Sequence, residues 1–559
     1  MEQVILEKVN IWLGTDYDED TQAEIRKMQA ENPTELMDSF YKNLEFGTGG
    51  LRGIMGVGTN RMNKYTVAFA TQGLANYLKQ QFPHESIKVA IAYDSRLNSR
   101  FFAEVAAEVF SANGIYTYIF TGLRPTPELS FAVRQLKCHS GVVITASHNP
   151  KEYNGYKAYW NDGGQLIPPH DHNVITEVEK ITSVRDVKFG KNETLIEWID
   201  EKIDRPYLEN IKSLSLHPEM VKHQKNLSIV YTSLHGTGIT MVPQALKNIG
   251  FENIHLVAAQ AVADGNFPTV KSPNPEEKSA LELALKEADA LGADLILATD
   301  PDADRVGIAV RNEAGRLVLF NGNMTASLLI YYLLKNTALK PNHFIIKTIV
   351  TTELLKVMAE SAGVVCYDVL TGFKYIAEKI LELEGKAQFI GGGEESYGYL
   401  VGDFVREKDA VSASVMIAEI AAWAAEQGKT LYQLLREIYL EYGFYKEDLL
   451  SLTKKGKSGL EEIQAMMLNY RSCPPQKIAG QKIVRMIDYL TDGTGLPQSD
   501  VLQFFLEDGS KITVRPSGTE PKIKFYFGVC QTLKTLEDFD TIDTELTRKI
   551  EALKQDFTG

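Results

Sequence analysis

Short apolar runs that end in polar or glycine-rich loops recur along most of this 559-residue chain and alternate with helical patterns. The runs at 87–94, 141–147 and 295–299 each lead directly into charged or hydroxyl side chains. Strands that alternate with helices in this way form α/β domains with largely parallel sheets. Because ligands bind beyond the carboxyl ends of such strands, the loops that follow the runs are the expected place for a site.

The same pattern indicates how the chain is divided. The α/β unit occurs about three times, whereas the stretch after about residue 450 carries a lysine-rich segment, helix–strand elements and a final strand pair. We predict three α/β domains at 1–205, 206–322 and 323–448, and an α+β domain at 449–559. The first 45 residues predict helices, with Asn32 as the N-cap before Pro33.

Composition excludes several classes of protein. The formal net charge of -14 argues against a general nucleic-acid binder, although a local Arg and Lys cluster can still hold one phosphate. Four cysteines without a CxxC pair fit a reducing cytosol. The acidic N-terminus lacks a signal-peptide pattern, and no apolar stretch reaches the ~18–20 residues of a membrane span. We therefore expect a cytoplasmic protein without nucleic-acid or membrane partners, as a monomer or a dimer.

Ser147 ends the run at 141–147 and belongs to the first chemical motif, TASHNP at 145–150. The position of Ser147 after a strand presents its hydroxyl at the edge of the sheet. Neighbouring residues do not face each other in regular structure, so His148 need not be a base for Ser147. The segment contains no GxSxG hydrolase elbow, because Ala146 precedes Ser147 and Asn149 stands two positions after it, where the motif needs glycine, which disfavours that class. A turn rich in serine, histidine and asparagine is the alternative reading.

Three aspartates follow the run at 295–299 in the segment DPDADR, at 300–305. Pro301 favours an extended Asp300, and in an extended chain Asp300, Asp302 and Asp304 project to one side. Two carboxylates about 4 Å apart repel by roughly 4 kcal/mol at an effective dielectric of about 20, which a divalent cation relieves. Oxygen ligands suit Mg²⁺, Mn²⁺ or Ca²⁺. The segment is not an EF-hand, and the alternative is a solvated acidic turn.

Four further clusters are weaker when each is taken alone. The glycine-rich segment 391–398 offers carboxylates and a hydroxyl to sugar hydroxyls, and the segment 515–522 offers a phosphate cradle. The segments 49–53 and 406–409 each contain arginine or lysine side chains that could contribute positive charge to an anion-binding site. Ordinary turns and polar connecting loops explain any one of these patterns equally well.

Taken together, these motifs resemble the α-D-phosphohexomutase family. TASHNP, DPDADR, GGEES and RPSGTEP occur in the order and at roughly the spacing of that family, between about residues 45 and 530. The surrounding residues are most similar to its phosphoglucomutase/phosphopentomutase branch. The resemblance implies four domains around a central cleft, a sugar-phosphate substrate, one Mg²⁺ per active site and a sugar bisphosphate as activator.

The resemblance also implies roles for residues of this chain. Ser147 would carry the phosphoryl group, and it would share the Mg²⁺ with the three aspartates. Arg52 and Arg305 would lie near the phosphoserine. The residues expected to bind the sugar are Thr371, Gly372, Lys374, Glu394 and Ser396, and those expected to hold the second phosphate are Arg515, Ser517, Gly518 and Thr519.

The implied reaction is the interconversion of glucose 1-phosphate and glucose 6-phosphate through a phosphoserine and a bisphosphate. A general base must take the proton of the sugar hydroxyl, and the candidates are Lys157, then Lys408, then His148. A lysine base needs a lowered pKa, which we expect neighbouring cations to produce. Phe404 excludes a histidine acid before the segment 406–409, and Tyr397 leaves the choice of sugar open.

Other activities remain compatible with the motifs. They are phosphopentomutase activity on ribose 1-phosphate, phosphomannomutase activity, sugar-bisphosphate synthesis and non-catalytic sensing of a sugar phosphate. An intact serine and three intact aspartates disfavour the sensor.

Overall fold

The computed structural model describes residues 2–47, 49–454, 456–517 and 522–558, and these residues form four sheets. Each sheet is built from one continuous stretch of the chain, which we call a unit. The fold class predicted from the sequence, three mixed α/β units followed by an α+β unit, is confirmed.

The first unit has a mixed six-stranded sheet with helices on both faces. Its strands are β1 Gly50–Ile54, β2 Lys88–Tyr93, β3 Tyr116–Phe120, β4 Ser140–Ile144, β5 Tyr153–Trp160 and β6 Ile196–Ile199. Its helices are α1 Glu2–Trp12, α2 Glu19–Glu31, α3 Pro33–Phe40, α4 Lys64–Gln81, α5 Ser99–Ala112, α6 Thr126–Gln135, α7 His170–Glu179 and α8 Glu201–Ser213. The strand order is β1-β5-β4-β2-β3-β6, with β5 antiparallel to both of its neighbours.

The second and third units repeat the α/β pattern with smaller sheets. The second has β7 Ile229–Thr232, β8 Ile254–Leu256, β9 Leu295–Thr299, β10 Val306–Arg311 and β11 Leu317–Phe320, with α9 Pro218–His223, α10 Gly238–Ile249 and α11 Glu282–Leu291. The third has β12 His343–Thr348, β13 Val365–Val369, β14 Gln388–Gly393 and β15 Tyr399–Val401, with α12 Gly322–Asn336, α13 Leu354–Ser361, α14 Phe373–Leu383, α15 Ala410–Glu426 and α16 Leu431–Tyr442. Their strand orders are β11-β10-β9-β7-β8 and β13-β12-β14-β15.

The fourth unit is an antiparallel sheet packed against two helices. Its strands are β16 Phe444–Thr453, β17 Lys477–Ile478, β18 Gln481–Asp488, β19 Leu502–Leu506, β20 Lys511–Pro516 and β21 Lys522–Gln531, and its helices are α17 Gly456–Ser472 and α18 Phe539–Thr558. The strand order is β16-β21-β20-β19-β18-β17. Among the described residues, no helix has the length and apolar content that crossing a bilayer requires.

Helix α15 shows how the units are held together. Its sequence is apolar on all sides, and nearly every residue from Ala410 to Ala424 is buried. A helix that is hydrophobic all round must be surrounded by other elements. It packs against α10 of the second unit and against α12 and β15 of the third, within a core that extends into all four units.

Local signals in the sequence correspond closely to the element ends. The helical prediction for the first 45 residues is confirmed by α1 to α3, and Asn32 Oδ1 accepts a hydrogen bond from the Glu35 amide at 3.3 Å. The proposed limits at 205 and 448 fall inside α8 and β16, and residue 322 begins α12. The domain limits stay predictions.

Candidate active site

Residues from all four units line one cleft with a volume of about 660 Å³. His148 comes from the first unit, Arg305 from the second, Glu394 from the third and Arg515 from the fourth. The central cleft implied by the resemblance is thus present. His148, Arg305 and Glu394 lie in loops that follow strands, as expected for α/β sheets, whereas Arg515 lies near the end of β20.

Ser147 lies in a loop just beyond β4 and is 4% exposed. Its φ of 51° is left-handed, which is uncommon for a residue with a Cβ atom. Its Oγ donates to Asp300 Oδ2 at 2.8 Å and lies 3.2 Å from His148 Nδ1. The two neighbouring side chains can meet here because the loop is neither helix nor strand, and the role of His148 stays a prediction.

The three aspartates converge, but not in the way that the sequence suggested. The segment 301–303 forms a turn, and Ala303 has a left-handed φ of 50°, so the predicted extended conformation is wrong. The turn is stabilised by Asp300 Oδ1, which accepts hydrogen bonds from the amides of Asp304 at 3.1 Å and Arg305 at 3.0 Å. The carboxylates of Asp300, Asp302 and Asp304 are buried, with one oxygen of each within 4.8 Å of the others.

The chemistry of this trio fits a divalent cation. Within the described part of the chain, the buried Oδ1 atoms of Asp302 and Asp304 have no hydrogen-bond partner. Buried polar atoms in native proteins are nearly always satisfied, and an ion satisfies carboxylate oxygens directly. Three carboxylate ligands suit Mg²⁺, which retains coordination positions for other oxygen ligands.

Two lysines contact the same carboxylates. The Nζ of Lys157, on β5, lies 2.7 Å from Asp302 Oδ2, and the Nζ of Lys408 lies 2.8 Å from Asp304 Oδ2. Burial lowers the pKa of each lysine, but the neighbouring carboxylates outweigh burial and the pKa of both is raised. The expected lowering of the lysine pKa is therefore wrong, because the carboxylates are nearer than the cations. The pKa of His148, in contrast, is lowered by burial and by Arg305 and Arg52.

The two arginines expected near Ser147 are held by different partners. The NH1 group of Arg52 donates to Asn149 Oδ1 at 3.2 Å, two residues after Ser147. Arg305 forms an ion pair with Glu276, which the sequence did not single out, and its Nε lies 3.9 Å from Asp304 Oδ1. Both guanidinium groups thus lie beside the serine and aspartate loops.

The two loops expected to bind the sugar are joined to each other. Glu394 Oε1 accepts a hydrogen bond from the Gly372 amide at 3.0 Å, and Thr371 and Ser396 line the same cleft. Burial and Glu395 raise the pKa of Glu394 to about 7, although Lys408 and Arg305 oppose them. Lys374 lines two smaller cavities of about 230 Å³ and 340 Å³ beside the cleft.

The predicted phosphate loop lies where β20 meets β21. Arg515 lines the cleft and pairs across the strands with Lys524, which brings two cations together. The amide of Ser517 donates to the Lys522 carbonyl at 2.7 Å. Gly518 and Thr519 lie outside the described residues.

Two residues that the sequence did not single out, Glu407 and Gln165, form a hydrogen-bonded group next to Lys408. Glu407 Oε1 lies 3.3 Å from Lys408 Nζ, and Glu407 Oε2 accepts hydrogen bonds from Tyr159 at 2.9 Å and Gln165 at 2.7 Å. The sequence offered Glu407 only as a neighbour of Lys408. Gln165 carried no signal, because its partner lies 242 positions away along the chain.

Comparison with known proteins agrees with this geometry. Four family profiles, described as phosphoglucomutase/phosphomannomutase alpha/beta/alpha domains I, II and III and C-terminal domain, match residues 43–185, 205–315, 321–442 and 455–541. A phosphoglucomutase from Staphylococcus haemolyticus is 39% identical over 523 residues, which cover 91% of this chain and 93% of the relative.

Solved structures have the same fold. Parafusin, a phosphoglucomutase from Paramecium in its open form, has a TM-score of 0.69 at 18% identity and covers 92% of this chain and 96% of its own. A phosphoglucomutase/phosphomannomutase family protein from Burkholderia thailandensis has a TM-score of 0.65 at 19% identity, with coverage of 92% and 98%. The family predicted from four short motifs is confirmed, and the chain belongs to the phosphoglucomutase/phosphomannomutase family.

Proposed function

We propose that this chain interconverts glucose 1-phosphate and glucose 6-phosphate, with Ser147 as the phosphoryl carrier and a sugar bisphosphate as intermediate and activator. The observation that carries the proposal is the 2.8 Å contact from Ser147 Oγ to Asp300, within a buried carboxylate trio whose neighbours His148, Arg305 and Lys408 line the cleft. The 39% identity to a phosphoglucomutase over most of both chains supports glucose as the sugar.

The difficulty of the reaction explains the arrangement of charges. Uncatalysed phosphate-monoester cleavage is among the slowest known reactions, so positioning and charge neutralisation must supply most of the acceleration. When bound by Asp300, Asp302 and Asp304, Mg²⁺ neutralises charge on the phosphoryl group that is transferred. Arg52 and Arg305, beside the serine and aspartate loops, add fixed positive charge.

In the proposed step, a free hydroxyl oxygen of the sugar phosphate bonds to phosphorus while the bond between phosphorus and Ser147 Oγ breaks. A base takes the hydroxyl proton, and we propose Lys157, then Lys408, then His148 for that role. Against the effect of burial, the aspartates raise the pKa of both lysines, and a cation held by those aspartates would offset their charge and lower it. The bisphosphate then turns over in the cleft, Ser147 Oγ bonds to its other phosphorus as the bond from that phosphorus to the sugar oxygen breaks, and the base returns a proton to the sugar oxygen. The enzyme is phosphorylated at the beginning and at the end of each cycle.

Residues far from the reacting phosphorus hold the substrate in register. Glu394 and Ser396 are proposed to bind sugar hydroxyls, with Thr371, Gly372 and Lys374 from the neighbouring loop; Lys374 lines the cavities beside the cleft and the other four residues line the cleft itself. Arg515, with the loop of Ser517, Gly518 and Thr519, is proposed to hold the phosphate that is not transferred. Binding energy at that distance fixes the geometry of the reacting atoms.

A coupled mutase assay tests the proposal with the 1-phosphates of glucose, mannose, ribose and N-acetylglucosamine. The highest kcat/KM is expected for glucose 1-phosphate, with one phosphate on Ser147 by intact mass and loss of turnover in EDTA. A preference for ribose 1-phosphate would instead establish a phosphopentomutase. Bisphosphate formed only from an acyl-phosphate donor would establish a synthase, and binding without turnover would establish a sensor.

We also propose a cytoplasmic location for this enzyme. All four cysteines lie in the described residues and are free thiols, which fits a reducing compartment. Fractionation of cells that express the protein, followed by detection in the cytosolic fraction, tests this proposal.

A further inference from the structure

One buried side chain, that of Arg96, holds the loop that presents Ser147. Its guanidinium donates to the backbone carbonyls of Ser147 at 2.5 Å, Pro150 at 2.8 Å and Tyr153 at 3.0 Å, and also to the carbonyl of Asn149. The side chain is 0% exposed. Few other side chains can hold four carbonyls at once, because only arginine offers five N–H donors in a rigid fork.

Asp94, the ion-pair partner of Arg96, acts on the N–H side of Ser147. Asp94 Oδ2 lies 3.4 Å from Arg96 Nε and accepts a hydrogen bond from Thr145 Oγ1 at 2.6 Å. Thr145 Oγ1 in turn accepts a hydrogen bond from the Ser147 amide at 2.8 Å. Arg96 therefore satisfies the carbonyl of Ser147 directly, and Asp94 orients the Thr145 hydroxyl that satisfies its N–H.

These bonds matter because Ser147 has a left-handed φ of 51°. Such a conformation is unfavourable for a residue with a Cβ and persists only where the surroundings impose it. Ser147 lies outside helix and strand, so its backbone groups are satisfied by side chains, the N–H by Thr145 and the carbonyl by Arg96. The resulting conformation directs Ser147 Oγ towards Asp300.

The second unit, which carries Asp300, rests on the same arginine. The ring centroid of Phe267 lies 5.0 Å from Arg96 Cζ, within the range of a cation–π contact. Gly265 is packed so tightly on the first unit that a Cβ there would lie 2.3 Å from the Leu97 amide nitrogen. Arg96 is thus in contact with both the serine loop and the unit that bears the aspartates.

We infer that Arg96 is a positioning residue for phosphoryl transfer, which fixes Ser147 relative to the aspartate loop across the contact between the first two units. This inference rests on the proposed phosphoserine function. It does not require Arg96 to touch substrate, and it predicts an effect on the transfer step rather than on sugar binding.

The test compares Arg96→Lys, which keeps the charge but loses the fork, with Phe267→Leu, which removes only the ring. For Arg96→Lys we expect kcat to fall by ~30-fold or more with KM for glucose 1-phosphate within about threefold, because misplacement of the nucleophile by about 1 Å slows transfer steeply. Phosphorylation of Ser147 by glucose 1,6-bisphosphate, followed by intact mass, should slow by the same factor. Phe267→Leu should act in the same direction by roughly three- to tenfold.

The matched control is Arg61→Lys. Arg61 is also buried, at 6% exposure, and donates to the carbonyls of Asp38 and Asn60, which do not line the cleft. Its kcat should stay within about twofold of wild type, since a change of that size is ordinary for a substitution away from the site. An equal loss of kcat in this control would show a general packing effect and would overturn the inference.

Two results with Arg96→Lys would also overturn the positioning role of Arg96. One is an unchanged kcat and phosphorylation rate, and the other is a rise in KM as large as the fall in kcat. Should Arg96→Lys fail to fold, Phe267→Leu decides, and unchanged transfer in that variant refutes the inference. Absence of turnover in the wild-type protein would refute the proposed function instead. In that case amide hydrogen exchange across 145–153 still tests the positioning role, with faster exchange expected in Phe267→Leu than in wild type.

Discussion

Substitution of Gly322 by alanine tests whether the sugar-binding loop must lie where the structure places it. Gly322 is the first residue of α12, and it is buried against the segment 395–397. A Cβ at this position would lie 1.9 Å from the Glu395 carbonyl oxygen and 3.0 Å from the Tyr397 nitrogen. Since a carbon and a carbonyl oxygen approach to about 3.3 Å, the loop must move by roughly 1.4 Å.

Two opposing effects set the magnitude. Overpacking in a well-packed region costs about 1–3 kcal/mol, whereas alanine in place of glycine in a helix gains up to about 1 kcal/mol. The free energy of unfolding should therefore fall by only ~0–2 kcal/mol. A shift of about 1 Å in groups that bind the substrate costs on the order of 100-fold in rate, so activity should fall more than stability.

The assay is kcat/KM for glucose 1-phosphate, together with Tm. We expect kcat/KM to fall by ~30- to 100-fold in Gly322→Ala. Gly493→Ala is the control, because a Cβ at that position meets nothing within 4 Å. Wild-type kcat/KM in Gly322→Ala would refute the reasoning, since it would mean that the loop next to Glu394 need not keep its position.

Four further outcomes are expected. Ser147→Ala should abolish turnover and the phosphate detected by intact mass, and residual mutase activity above ~0.1% would contradict the carrier role. EDTA should abolish turnover and Mg²⁺ should restore it, whereas full activity in chelator would exclude an essential cation. Because burial raises the pKa of Glu394 to about 7, its carboxylate is lost as the pH falls through that value, and KM should rise below it. In Glu394→Gln this pH dependence should disappear, and its persistence would assign it to another group. Arg515→Ala should raise KM by ~10-fold or more, and a fall in kcat alone would contradict the anchoring role.

Two predictions from the sequence are wrong, the backbone conformation of the segment 300–305 and the pKa of Lys157, and both depend on the local environment of correctly identified motifs. The segment 300–305 was expected to be extended, but Ala303 adopts a left-handed φ of 50° and the chain turns. The three carboxylates still converge, because the turn folds back on Asp300 Oδ1, which accepts hydrogen bonds from the Asp304 and Arg305 amides. The pKa of Lys157 was expected to fall, yet Asp302 lies 2.7 Å away and outweighs burial.

The α/β fold class, the order of the elements and the serine and aspartate motifs are encoded in short contiguous segments, where hydrophobic period and residue type are sufficient to predict them. Which of these segments meet in space depends on tertiary packing. Ser147 and Asp300 are 153 positions apart, and Arg96 reaches carbonyls more than 50 positions away. Such contacts depend on how whole units pack, and burial then sets the charge state of the groups enclosed, which no local pattern encodes.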